Sequence, residues 1–242
     1  MLRMSDKPNG IYCRCIKRLL DIFCAAAAML VFCWLYAVVA ILVRVNLGSP
    51  VLFRQERPGR IDPKTGRERI FRLYKFRSMT EKRGENGELL PDEERLSPFG
   101  RFLRASSLDE LPEAWNILRG DMSVVGPRPQ LVRDMVFMTP EQRMRHTVRP
   151  GLSGLAQVNG RNDISWESKL DWDLKYIEKI TFRGDCAIVL KTVKQAFLRP
   201  DDAISRIDLA PDFGDELLAE GKVTRREYDK KQAEARELLG VR

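Results

Sequence analysis

A chain of 242 residues holds one compact domain with an appendage, or two small domains, and at 44% hydrophobic and 31% charged it is not a disordered polymer. The formal net charge of +8, with a pI near 9.4, favours an anionic partner: nucleic acid, a phospholipid surface or a phosphorylated substrate. A single histidine, His146, leaves His-based metal sites and Ser-His-Asp catalysis almost without raw material, and five cysteines, four of them in or just before an apolar stretch, do not resemble a secreted disulfide framework.

Ile22–Val43 is an uninterrupted apolar run of 22 residues without charge, Gly or Pro, long enough to cross a bilayer as a helix. It exceeds the roughly 7–15 residues of a signal-peptide core and no small-residue cleavage pattern follows it. Arg3, Lys7, Arg14, Lys17 and Arg18 precede the run, and a basic series beginning Arg44, Arg54, Arg57 follows it. The positive-inside rule is satisfied at both ends by a helix that dips into the membrane and returns to the same face, with Asp21 at the interface. The alternative is a straight span with Lys17 and Arg18 on the far face. Residues 1–50 thus form a membrane-anchoring segment, inserted through residues 22–43.

Val51–Arg54 and Arg69–Phe76 are strand candidates, joined by the turn-rich Arg57–Gly66. Ser97–Ala105 reads as a short helix with Ser97 as N-cap and Pro98 at its first position. Its Phe99, Phe102 and Leu103, set among Arg101 and Arg104, suit a lipid surface or a protein core equally. Ala187–Leu198 carries the same mixture, with Ile188, Leu190 and Val193 beside Lys191 and Lys194. Ser165–Ile180 is a helix whose Trp166, Leu170, Leu174 and Ile177 share one face. Thr224-x-x-Glu227 forms a capping box ahead of Tyr228–Leu239, and Gly240 suits its end. That last helix is charged enough to be solvated, and residues 201–242 read as an accessory helical tail to a catalytic domain over 51–200.

The segment Ser106–Asn116 contains Asp109, Glu110, Pro112 and Glu113. Acids after serines ordinarily cap a helix, and Pro112 in the first turn makes Asp109 or a near neighbour the expected N-cap. Arg104, Arg119 and Arg128 put cations around the carboxylates, and a helix N-terminus seats phosphate. Gly126-Pro127-Arg128-Pro129, after the apolar Met122–Val125, stiffens the backbone around one arginine, which suits a bidentate grip on phosphate. Alternatively it is an ordinary turn ending a strand.

Several stretches in order carry a resemblance: Lys17-Arg18-Leu19-Leu20-Asp21, Gln55-Glu56-Arg57-Pro58-Gly59, Tyr74-Lys75-Phe76-Arg77-Ser78-Met79, Ser107-Leu108-Asp109-Glu110-Leu111, Gly120 through Pro129, Arg149 through Gly154, and Gln157 through Asn162. Over roughly residues 16–200 the chain resembles the small monotopic phosphoglycosyl transferases of the bacterial sugar transferase family, nearest to the bacillosamine-type enzymes that act on undecaprenyl phosphate. The resemblance implies a helix-rich α/β catalytic domain on the cytoplasmic face of the bacterial inner membrane, anchored by one re-entrant helix. It implies Asp109 as nucleophile, Glu110 as the ligand of a required Mg²⁺, and Arg104 and Lys75 as further active-site residues. Arg128 is implied as a positively charged active-site residue that binds substrate, with Pro127, Arg77, Gln157, Asn159 and Arg161 as further substrate-binding residues. UDP-sugar, polyprenyl phosphate and membrane lipids are the implied partners, with downstream glycosyltransferases beyond them and no nucleic acid. One departure stands out: Cys33-Trp34 occupies the place of the family's helix-breaking Ser-Pro.

Two rivals remain on chemical grounds. A membrane-tethered nucleic-acid-binding protein would use the positive charge, but no helix-turn-helix, RNP or zinc-finger pattern is present. A glycosidase needs carboxylates on opposite faces of a sugar ring, which adjacent Asp109 and Glu110 do not supply.

Overall fold

The computed structural model describes residues 10–160, 164–198 and 211–240. A π-helical turn, Tyr12–Ile16, leads into α1 (Lys17–Val31) and α2 (Cys33–Leu47). The two helices are bent by 65° at their junction. No proline causes the break; Phe32 alone leaves helical geometry, at φ −100° and ψ 14°. Its N–H still bonds Ala28 O, and its carbonyl starts α2 by accepting from Leu35 and Tyr36. No single helix among the described residues is long and apolar enough to cross a membrane, whereas the bent pair together has the length and composition.

Both arms of the pair rest on one body. From α1, Arg18 donates to Ile117 O and Leu118 O at 2.6 and 2.8 Å. Asp21, buried within this apolar helix, accepts from Ser123 Oγ and Val124 N, each at 2.9 Å. From α2, the Tyr36 hydroxyl donates to Leu111 O at 2.6 Å, while Val39 and Val43 pack with Phe76 and Leu103. Arg77 closes the end of α2 by donating to the carbonyls of Leu47 and Ser49. The elbow between the arms stays uncovered, with Leu30 76% and Trp34 61% exposed.

Strands β1 (Leu52–Ile61) and β2 (Glu68–Phe76) form an antiparallel hairpin from Leu52↔Phe76 to Ile61↔Glu68, with a bulge after Pro58. The strand therefore continues through Arg57–Ile61, where composition points to a connection. Both strands of a two-stranded sheet are edges, so Pro58 can sit there without breaking a ladder. Gly59 is required at the bulge, since a Cβ there would lie 2.9 Å from Arg69 O.

The chain continues through α3 (Asp92–Arg95), α4 (Pro98–Ala105), a 3₁₀ turn at Leu108–Glu110, α5 (Glu113–Arg119), β3 (Ser123–Val125), α6 (Val132–Met135), α7 (Pro140–Arg143), a 3₁₀ turn at Met144–Thr147, β4 (Gly151–Ser153), α8 (Leu155–Asn159), α9 (Trp166–Glu178) and α10 (Phe182–Leu198). β3 and β4 pair in parallel, giving a helix-rich α/β fold with two small sheets. Ser97 caps α4 as its sequence requires, accepting from Gly100 N at 3.1 Å. Both amphipathic candidates divide their apolar residues. Leu103 and Ile188 enter the core, while Phe102 on α4 and Leu190 on α10 face outward.

Helices Phe213–Ala219 and Arg225–Leu238 lie beyond α10. The last helix, read from its charge as solvated, turns a narrow stripe of Tyr228 and Ala235 onto the core cluster of Val132, Met135, Trp166 and Phe213. Most of its charged residues stay exposed, while Lys231 reaches back to Val136 O.

A buried polar chain ties the hairpin to α9. Glu68 accepts from Arg143 Nε at 2.8 Å and from His146 Nδ1 at 3.1 Å. On the other ring nitrogen, His146 Nε2 lies 3.3 Å from Arg145 Nη1. Arg145, 1% exposed, donates through Nε to Asp173 at 2.9 Å and through Nη2 to Arg128 O at 2.6 Å. One neutral tautomer satisfies this: Nδ1–H donates to Glu68 and Nε2 accepts from Arg145.

Burial lowers the His146 pKa to about 4, reinforced by the neighbouring arginines and opposed by Glu68. Glu68 is held well below the carboxylate range; burial opposes this, but the bonds from His146 and Arg143 outweigh it. Unfolded His146 takes up a proton near the ordinary histidine value of 6.5 and the folded side chain only at about 4. Stability from this group is therefore complete above that window and is lost as pH falls through it, and Glu68 adds a loss of the same sign below the ordinary glutamate value of 4.5. Differential scanning calorimetry should show this as a difference: as pH falls from 6.5 to about 4, the wild-type Tm should drop relative to that of His146→Gln. An unchanged slope in the variant would assign the acid sensitivity elsewhere. Asp21→Ala, which strands Ser123 Oγ and Val124 N, should cost about 2 kcal/mol or more, read as a lowered Tm in detergent.

Candidate active site

Ser106–Asn116 does not form the single capped helix its sequence suggests. α4 ends at Ala105, and Ser107 adopts φ 55°, the only non-glycine residue with positive φ among the described residues. This left-handed step starts the tight turn Leu108–Glu110, and α5 begins only at Glu113, behind Pro112, with no side-chain cap. Asp109 is consequently not an N-cap. Its side chain turns inward and is 7% exposed.

Three other segments converge on the turn. Lys75, near the end of β2, places Nζ 2.8 Å from Glu110 Oε1 and 3.1 Å from Glu113 Oε1. Arg128, from the loop after β3, reaches the same Glu110 oxygen at 3.3 Å. On α4, Arg104 is oriented by Ser78 Oγ, to which its Nε donates at 2.9 Å, and its charge acts on Asp109. Asp109, Glu110, Lys75, Arg104 and Arg128 are thereby one cluster.

The loop carrying Arg128 depends on close backbone approach. A Cβ on Gly126 would meet Arg149 O at 2.5 Å, and one on Gly151 would meet Gly126 N at 2.0 Å. The carbonyl of Pro127 accepts from Gly151 N at 2.9 Å, so Pro127 shapes the loop from its backbone. These contacts give the Gly-Pro-Arg-Pro and Arg-Pro-Gly-Leu-Ser-Gly stretches a common purpose.

Other expected residues stand apart. Arg77 is spent on the end of α2. Gln157 donates to Leu152 O at 3.2 Å, and Asn159 donates to Leu155 O at 3.1 Å while accepting from Lys191. Both belong to α8 and its surroundings, and Arg161 lies outside the described residues. Arg119 is at the far end of α5, 3.6 Å from Asp121.

Burial and the adjacent Glu110 charge raise the Asp109 pKa to about 6, against the pull of Lys75, Arg104 and Arg128. For Glu110, burial also opposes ionisation, but Lys75 and Arg128 prevail and hold it at about 2. Glu113 is raised to about 7 by burial and by Glu110, despite Lys75. Lys75 is itself raised, since Glu110 and Glu113 overcome its burial. Neighbouring carboxylates are thus pushed apart, Asp109 toward basicity and Glu110 toward permanent charge.

Residues that the linear pattern does not reveal complete the site. Glu113 shares Lys75 with Glu110, Ser78 aims Arg104, and Tyr36 holds Leu111 O next to the turn. Glu113 lies three residues from Glu110, one helical turn on, which was the available signal.

Among the described residues, no group of three or more His, Cys, Asp or Glu side chains is arranged to hold a metal ion. Mg²⁺ needs less, because it retains waters and takes one or two carboxylates together with substrate phosphates. The hard carboxylate oxygens of Glu110 fit that requirement.

Residues 12–199 match the bacterial sugar transferase family. The chain is 43% identical over 186 residues to the uncharacterized sugar transferase EpsL of Bacillus subtilis (strain 168), covering 76% of this chain and 88% of that one. It is 34% identical over 194 residues to the exopolysaccharide production protein ExoY of Rhizobium meliloti (strain 1021), covering 73% and 83%. It is also 35% identical over 207 residues to the UDP-glucose:undecaprenyl-phosphate glucose-1-phosphate transferase of Escherichia coli (strain K12), spanning 81% of this chain but only 43% of that longer protein. With the matched stretch containing the whole carboxylate–arginine cluster, the chain belongs to the bacterial sugar transferase family.

Proposed function

We propose that this transferase moves a sugar-1-phosphate from a UDP-sugar to a polyprenyl phosphate such as undecaprenyl phosphate, releasing UMP, as a first membrane step in building a glycan. The observation that carries this reading is the buried Asp109 beside Glu110, enclosed by Lys75, Arg104 and Arg128.

Asp109 is the nucleophile. A carboxylate with a pKa near 6 is ionised at neutral pH, yet is more basic than an ordinary aspartate and so a better nucleophile toward phosphorus. Its oxygen attacks the sugar-bearing phosphorus and the bond to UMP breaks, leaving an aspartyl phosphosugar. An oxygen of the polyprenyl phosphate then attacks that phosphorus and the Asp109 carboxylate departs, giving polyprenyl-diphosphate sugar. Arg104 and Arg128 offset charge on the diphosphate and on the equatorial oxygens of each displacement. Lys75 keeps Glu110 ionised and in place. Glu110 would hold Mg²⁺, which supplies charge neutralisation on the diphosphate.

The enzyme sits on the cytoplasmic face of the inner membrane, with the α1–α2 elbow inserted and both arms returning to the same face. Three features support this: the 65° bend, the exposed apolar elbow, and the anchoring of both arms on one body. The elbow excludes water from its own apolar side chains by entering lipid, and the basic flanks remain with anionic headgroups.

Asp109→Asn should lower UMP release from UDP-sugars, assayed with undecaprenyl phosphate and Mg²⁺, by roughly three orders of magnitude or more. No phosphosugar should be trapped on the variant protein; wild-type turnover would refute the covalent route. For topology, Gly10→Cys, in a chain with its native cysteines replaced, should react with an impermeant maleimide from the cytoplasmic side of oriented vesicles. Reaction from the opposite side would replace the re-entrant elbow with a span.

A further inference from the structure

The family match ends at residue 199, yet the helices at Phe213–Ala219 and Arg225–Leu238 are docked on the body at a particular place. They grip α6, which begins four residues after Arg128. Asp134 of α6, buried, accepts from Phe213 N at 3.0 Å through one oxygen and from Leu131 N at 3.3 Å through the other. Arg133 of α6 pairs with Asp212. Just past α6, Val136 O accepts from Lys231 Nζ at 2.5 Å, and the Phe137 ring lies 5.6 Å from Tyr228. Gly214 sits so close to Phe137 that a Cβ would fall 2.5 Å from the ring. From the far side, Trp166 of α9 donates to Pro211 O at 3.0 Å and its ring lies 5.2 Å from Phe213.

The start of the Arg128 segment is held through its backbone: Gly151 donates to Pro127 O at 2.9 Å, Arg145 to Arg128 O at 2.6 Å and Arg57 to Pro129 O at 3.2 Å. Its other end, Leu131, is fixed by Asp134, and Asp134 is in turn fixed by the tail. A short helix of four residues has little stability of its own and depends on what packs against it.

We propose that the C-terminal helices are a brace for the Arg128 loop, and that Gly214, Phe213 and Asp134 are positioning residues that act on the substrate diphosphate through Arg128. This rests on the assignment of Arg128 to the diphosphate. A displacement of the guanidinium by about 1 Å is enough to weaken a bidentate phosphate grip severely. A tail that only added stability would lower Tm and leave nucleotide affinity unchanged.

The test uses the full chain in detergent, with UDP as the probe in the presence of Mg²⁺, and isothermal titration alongside thermal melts. Gly214→Val and Arg128→Ala should each weaken UDP binding by about tenfold, while their combination should be no more than about twofold weaker than Arg128→Ala alone. Arg226→Ala, on the exposed side of the same tail, should bind UDP as the wild type does. Additive losses, or wild-type affinity in Gly214→Val that melts normally, would overturn the brace while leaving the Arg128 assignment standing. Should Gly214→Val not fold, Lys231→Met, which removes one contact to Val136 O, is read by the same two criteria. Undiminished UDP binding by Arg128→Ala, or none by the wild type, would instead overturn the Arg128 assignment and the brace with it.

Discussion

Lys75 makes this site possible. Three carboxylates, Asp109, Glu110 and Glu113, are crowded into one largely water-excluded corner, where their mutual repulsion and loss of hydration oppose ionisation. An ammonium within 2.8 Å of one and 3.1 Å of another, joined by Arg128 at 3.3 Å, offsets enough of that cost to keep Glu110 charged. The compensation is deliberately partial in its effect. Glu110 is held ionised, whereas Asp109 and Glu113 are left more basic than ordinary carboxylates. A group poised in this way is chemically useful, because a fully stabilised carboxylate is a poor nucleophile.

Lys75 can do this only because the hairpin that carries it is pinned on both sides. Asn116 of α5 bonds the backbone of Arg72 and Tyr74, and α2 packs on Phe76. The second cation, Arg128, arrives from a loop whose conformation is set by glycine–glycine contact and by the buried Arg145 chain through His146 and Glu68. The lone histidine, unavailable for catalysis, works as a neutral connector in that chain. The cluster therefore draws on α2, β2, α4, α5 and the β3 loop at once. The bent helix pair and the charged cluster share their packing, as Tyr36 shows by joining α2 to Leu111 O.

Much of this was legible in the linear pattern. Ser97 and Thr224 announced their helices because capping is a local matter of one hydroxyl and the N–H groups beyond it. The ordered motifs named Lys75, Arg104, Asp109, Glu110 and Arg128, and these five lie together. Other features were not legible, each for a physical reason. Pro58 and Gly59 read as a turn, since a bulge in an edge strand and a loop ask for the same residues. The bend at Phe32 carries no proline, and helical geometry lapses at one residue that nothing nearby in sequence marks. Asp109 read as a cap because the left-handed step at Ser107 that turns it inward leaves no glycine to signal it.

Composition and residue order alone determined the apolar segment and its basic flanks, the helix-rich class, the family likeness, and the kind of chemistry that carboxylates among arginines perform. These follow from chain-local rules of hydropathy, capping and motif spacing. Tertiary structure decided which charges share one site: Arg104 aimed by Ser78, Arg77 spent on a helix end, Glu113 drawn in through Lys75, and a charged tail laid against α6. Each of these depends on residues far apart in the chain being brought within hydrogen-bonding distance. No local rule encodes that, because the partner's position exists only once the fold has formed.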